Sequence, residues 1–106
     1  MTMDPTAYFT KLRGNKCEAC GHPFSYYRPA ERHHAIEKRR KNYPELDDEI
    51  NIEIVCRQCH VSGELDTEEH AIEFVKRQIA RGYDVLSWYE NLSLKTRRFP
   101  NLENML

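Results

Sequence analysis

Residues 50 to 55 alternate, with Ile50, Ile52 and Ile54 set against Asn51, Glu53 and Val55, and this approximate period of two predicts a strand with one buried face. Further on the period lengthens. Ala71, Ile72, Val75 and Ile79 recur at helical spacing, Thr67 can cap the run, Glu68 and Glu69 suit the positive end of a helix dipole, and Gly82 supplies the stop. Asp84 can cap a further short helix through Val85, Leu86, Trp88 and Tyr89; packing against the long helix suits Trp88 and Tyr89 better than stacking on a ligand. Between strand and long helix, Cys56-Arg-Gln-Cys59-His60 ends the strand and opens a short helix that Gly63 can end. Upstream, residues 24 to 28 and 31 to 36 have strand-like content separated by Pro29, which predicts a bent hairpin arm, and residues 37 to 49 form a polar loop broken by Pro44. The order of elements predicts a small α+β domain over residues 16–92, with an N-terminal arm or short helix at 1–15 and a basic, weakly structured tail at 93–106.

A chain of 106 residues with 40% hydrophobic and 31% charged positions has a thin core, and a thin core usually borrows stability from a metal or disulfides. Four cysteines can supply either. Cys17 and Cys20 stand in one Cys-x-x-Cys pair, Cys56 and Cys59 in another, and Gly21 relieves the backbone after the first. No run approaches the length of a membrane span, and the start lacks a basic flank followed by an apolar stretch, so the protein is expected to be cytoplasmic. In a reducing cytosol two such pairs fit tetrahedral Zn2+, and four thiolates leave no open position, which makes the expected site structural. Two reduced, unrelated pairs or a redox disulfide are the alternatives.

The net charge of -1 hides a segregated pattern. Arg28, Arg32, Lys38, Arg39, Arg40 and Lys41 form a basic block, an acidic one follows from Glu45 to Glu53, and Lys76, Arg77 and Arg81 form a second basic group. Basic clusters bind phosphate even on a neutral chain, although solvated surface faces give the same pattern.

Three of the five histidines stand where chemistry is plausible: His33 and His34 in the insert between the cysteine pairs, and His60 directly after the last cysteine. Adjacent residues on a strand point to opposite sides, so one of the pair can coordinate an ion while the other faces a water. His60, placed by the second cysteine pair at the start of a helix, is positioned as a second ligand. Alternatively His33 and His34 are surface residues of a basic loop, and His60 is a capping group or a zinc ligand.

The string His33-His34, followed by Asn51-Ile-Glu-Ile-Val-Cys56-Arg-Gln-Cys59-His60 and preceded by the knuckle Cys17-Glu-Ala-Cys20-Gly, resembles the zinc-containing form of the HNH endonuclease family. The resemblance implies a ββα-metal (His-Me) finger stapled by the four-cysteine zinc site and followed by C-terminal helices. It implies cleavage of DNA phosphodiester bonds, with His33 as metal ligand, His34 as general base, Asn51 as the residue that orders the loop, and His60 as metal ligand. The catalytic ion would be Mg2+ or Mn2+, with Ni2+ or Zn2+ as further candidates. Nuclease colicins, similar in the His-His pair, place another ligand four residues after the position of His60, which here is Glu64. Many zinc-containing members carry a lysine where this chain has Gly63. DNA would be gripped mainly through its phosphates, by Lys38, Arg39, Arg40, Lys41, Lys76, Arg77 and Arg81, with Arg32 or Arg57 stabilising developing charge. A monomer is the default expectation, with a dimer needed for cutting both strands. The competing expectation is a non-catalytic zinc module that binds nucleic acid or a protein partner.

Overall fold

The computed structural model describes residues 4–38, 43–94 and 96–106. Arg39, Arg40 and Lys41, expected at a DNA backbone, lie outside the described residues. The first helix, α1 (Pro5–Leu12), starts at a capping Asp4 whose carboxylate accepts from the amides of Thr6 and Ala7, with Pro5 at the first helical position. Strands β1 (Ala30–His34) and β2 (Ile52–Cys56) pair antiparallel, with His33 opposite Glu53 and His34 opposite Ile52. Two 3₁₀ turns, Pro44–Asp47 and Glu49–Asn51, occupy the connection between the strands.

Helix α2 (Arg57–Ser62) leaves β2 without an intervening loop and ends where Gly63 turns left-handed at φ 80°. A 3₁₀ turn, Glu64–Asp66, leads into α3 (Glu68–Ala80), whose Thr67 cap accepts from the amide of His70 at 3.1 Å. Asp84 caps α4 (Val85–Glu90). Two strands followed by α2 make a ββα unit, in keeping with the small α+β fold that the order of elements predicts.

The core has two parts. The larger gathers Ile36, Leu46, Phe74, Val75, Val85 and Tyr89 between the inter-strand connection, α3 and α4. A smaller one surrounds the cysteines, with Val55 and Leu65 packed beside Cys17 and Cys56.

Four features differ from the pattern-based expectation. Every residue of β2 is buried, including Glu53, because α3 covers the face that alternation assigned to solvent. On α3 the buried positions include Phe74 and Gln78, whereas Ile79 is 42% exposed. Residues 24–28 make no strand; Ser25 and Arg28 close a tight turn. The segment after residue 93 is no loose tail, since Leu94, Phe99 and Leu102 are buried in the larger core and a 3₁₀ turn forms at Leu102–Met105. Apolar side chains spaced along it win more from burial than its basic residues lose.

Candidate functional site

The two Cys-x-x-Cys turns meet. Sγ of Cys17 lies 3.9 Å from that of Cys59, and Sγ of Cys20 lies 3.8 Å from that of Cys56. A tetrahedron of thiolates about 2.3 Å from a central zinc has edges of about 3.8 Å, so the spacing fits that ion. All four sulfurs fall within 4.8 Å of one another, and among the described residues they are the one group of three or more potential ligands to do so. Amides of Cys20 and Cys56 point at the sulfur of Cys17. Burial pushes the Cys56 thiol up, but the Cys59 amide and the Arg28 guanidinium, 3.3 Å away, outweigh it and hold the group at about 6. Such donors favour thiolate at Cys56, the form a metal needs, whereas burial pushes the Cys17 and Cys59 thiols up.

Beside the staple, β1 and α2 bring the histidines to a shared cavity of about 220 Å³ lined by His33, His34, Lys38, His60 and Asp66. The rings of His33 and His60 are 5.3 Å apart between centroids. Two imidazoles bound at about 2.1 Å to one ion at a tetrahedral angle would stand at about this separation. His33 is 3% exposed, and its Nε2 is the one buried side-chain nitrogen or oxygen without a hydrogen-bond partner among the described residues. Burial also drives its pKa down to about 4, so the ring is neutral and can donate a lone pair to a cation. His60 Nδ1 sits 2.9 Å from Glu31 Oε1, and the other oxygen of Glu31 accepts from Arg57 at 2.9 Å. That carboxylate fixes the His60 ring and favours its proton on Nδ1, which leaves Nε2 as the ligand atom.

His34 lies on the other strand face, with Nε2 2.7 Å from Asp47 Oδ1. The segment that follows it is clamped by Asn51, which is wholly buried. Asn51 Oδ1 accepts from the amides of Ile36 and Glu37, and Nδ2 donates to the carbonyls of Glu37 and Leu46, all between 2.8 and 3.1 Å. Buried imidazoles on a strand, an asparagine tying down the intervening loop, and a histidine at a knuckle-borne helix form one connected arrangement. The family model described as HNH endonuclease matches residues 17–64. This segment is similar to the HNH endonuclease family. No curated protein and no solved structure matches the chain.

Within the matched segment, Glu64 does not join the cavity. It is exposed on the 3₁₀ turn after Gly63, because the left-handed glycine ends α2 before position 64 can share a helix face with His60. Asp66 lines the cavity instead, paired with Lys38. Two of the cations assigned to DNA pair with carboxylates of the protein. Arg77 donates to Glu53 at 2.8 Å and Arg81 to Glu18 at 2.5 Å; Arg77 is half-buried, whereas Lys76 and Arg81 are exposed. Arg57 remains 61% exposed in its side chain while pairing with Glu31.

Sequence reasoning missed Glu31, Asp47, Asp66 and the buried Glu53. The signal for Glu31 was available: it stands two residues before His33, on the same strand face. Glu53 carries a negative charge across the ladder from His33; burial raises its carboxyl, but His70 and Arg77 outweigh that and hold it below the ordinary value. Its alternation pattern marked it as solvent-facing, so nothing in the sequence distinguished it from the surrounding acidic block.

Proposed function

We propose that the protein is a metal-dependent endonuclease that hydrolyses DNA phosphodiester bonds, nicking one strand to leave 5′-phosphate and 3′-hydroxyl ends. The observation that supports this most is the neutral, buried His33 with its unpartnered Nε2, in the cavity it shares with His60. A buried polar atom without a partner is costly, and a cation bound there would remove the cost.

In this reading His33 and His60 hold one divalent ion, Mg2+ or Mn2+ with Ni2+ or Zn2+ as substitutes, which when bound neutralises charge on the phosphoryl group and the departing 3′ oxygen. His34 takes a proton from the attacking water. The Asp47 carboxylate beside its Nε2 orients the ring and stabilises the imidazolium that forms. Asn51 acts at one remove, by holding the backbone that carries His34. Arg32 and Arg57 would meet charge developing on the phosphate, and Lys38 and Lys76, with Arg39, Arg40 and Lys41, would contact the DNA backbone. One cavity serves one strand, so a monomer nicks.

The test is direct. Supercoiled plasmid incubated with the protein and EDTA, Mg2+, Mn2+, Ni2+ or Zn2+ should yield nicked circles with metal and none with EDTA. Retarded but uncut plasmid under every metal would instead identify a non-catalytic zinc module.

A further inference from the structure

Residues 25–28 form a two-residue turn in which the amides of Ser25 and Arg28 each donate to the other's carbonyl, at 3.1 and 3.0 Å. Tyr26 and Tyr27 occupy its tip, 91% and 84% exposed, with rings edge-on and 5.2 Å apart. Among the described residues no other large apolar side chain is as exposed. Aromatic rings contribute most when buried, so two adjacent ones left in water on a convex tip mark a surface that meets something else.

The tip is braced from behind. Arg28 donates to Cys56 Sγ, Gln58 Nε2 donates to the Tyr27 carbonyl at 2.8 Å, and the Arg57 amide donates to the Pro29 carbonyl at 3.0 Å. These bonds tie the turn to the cysteine cluster and to the start of α2, the helix that carries His60. Little order would have to be gained on binding.

We propose that Tyr26 and Tyr27 form a wedge that stacks on DNA bases close to the bond being cut, a proposal that rests on the nuclease reading above. An aromatic face stacks on any base, and a narrow two-ring tip suits a base step better than the flat face of a protein. The exposed Arg57 guanidinium next to this turn can meet the adjoining phosphates. Tyr27 precedes His33 by six residues, which chain geometry limits to about 20 Å. At about 3.4 Å per base pair, the stacked bases lie within about six of the nick.

The zinc-loaded full chain, carrying His34→Ala so that DNA stays intact, provides the reference. Duplex affinity is read by fluorescence anisotropy, and stacking by 2-aminopurine placed one to six positions from the nick mapped with the parent protein. Replacing both tyrosines by alanine should weaken binding at least about tenfold and abolish the 2-aminopurine response, whereas the double phenylalanine variant should retain both. Unchanged affinity in the alanine variant, or a silent 2-aminopurine with the tyrosines present, overturns the wedge. So does an alanine variant that binds DNA normally but changes oligomeric state by light scattering, which would assign the rings to contact between copies. A parent protein that neither nicks plasmid nor binds duplex removes the nuclease reading and the wedge together; one that does both, with an equally competent alanine variant, removes the wedge alone.

Discussion

His33 and His34 are chemically identical neighbours that line one cavity, yet strand geometry gives their rings different partners, His60 beside one and the Asp47 carboxylate beside the other. In the proposed mechanism this division supplies a metal ligand and a base from consecutive positions. His34→Ala should therefore lower cleavage by at least about a hundredfold, the usual contribution of a general base, while leaving duplex affinity nearly unchanged. Single-turnover nicking and anisotropy on the same preparation check the two halves of that statement. Asn51 acts differently, because its four hydrogen bonds are structural. Asn51→Ala strands two amides and two carbonyls in a dry interior, and should cost about 3 kcal/mol or more in a urea titration, with cleavage reduced in parallel.

Among the elements, the junction after α2 decides which carboxylate can approach the cavity. Gly63 at φ 80° ends the helix, turns Glu64 outward and brings Asp66 to the histidines. Space is open where a Cβ would be placed, so an alanine would be opposed by its backbone conformation alone. Gly63→Ala should cost about 1 kcal/mol, seen as a melting temperature several degrees lower. The helical pattern of α3 was legible because its caps and apolar spacing are local. The burial of Glu53 was not, because β2 looks like a one-sided strand until α3, with His70 and Arg77, is laid over its second face.

At the scale of the whole molecule, the cysteine staple joins the turn ahead of the hairpin to the end of β2, and so carries the strand and helix that position His33 and His60. Zinc binding of this type contributes on the order of 10 kcal/mol, comparable with the entire stability of a small domain. Complete removal of zinc by a chelator should abolish the folded circular dichroism spectrum and, with it, nicking. A spectrum unchanged after metal analysis shows no zinc would rule out the staple as the source of stability. The larger core, built from α3, α4 and the side chains of Leu94, Phe99 and Leu102, would then be the part able to stand without it.

The sequence by itself determined which candidate ligands are present, namely two cysteine pairs, a histidine doublet, an asparagine and a histidine at fixed intervals, together with caps and periodicities that each act within a few residues. Such features are local, and local spacing is legible. Tertiary structure alone decided which acids lie beside the histidines, that Asp66 and not Glu64 lines their cavity, that Arg77 and Arg81 pair with Glu53 and Glu18, and that the final segment belongs to the core. Each of these depends on contacts between residues far apart in the chain, where burial and charge pairing overrule what a residue's neighbours in sequence suggest.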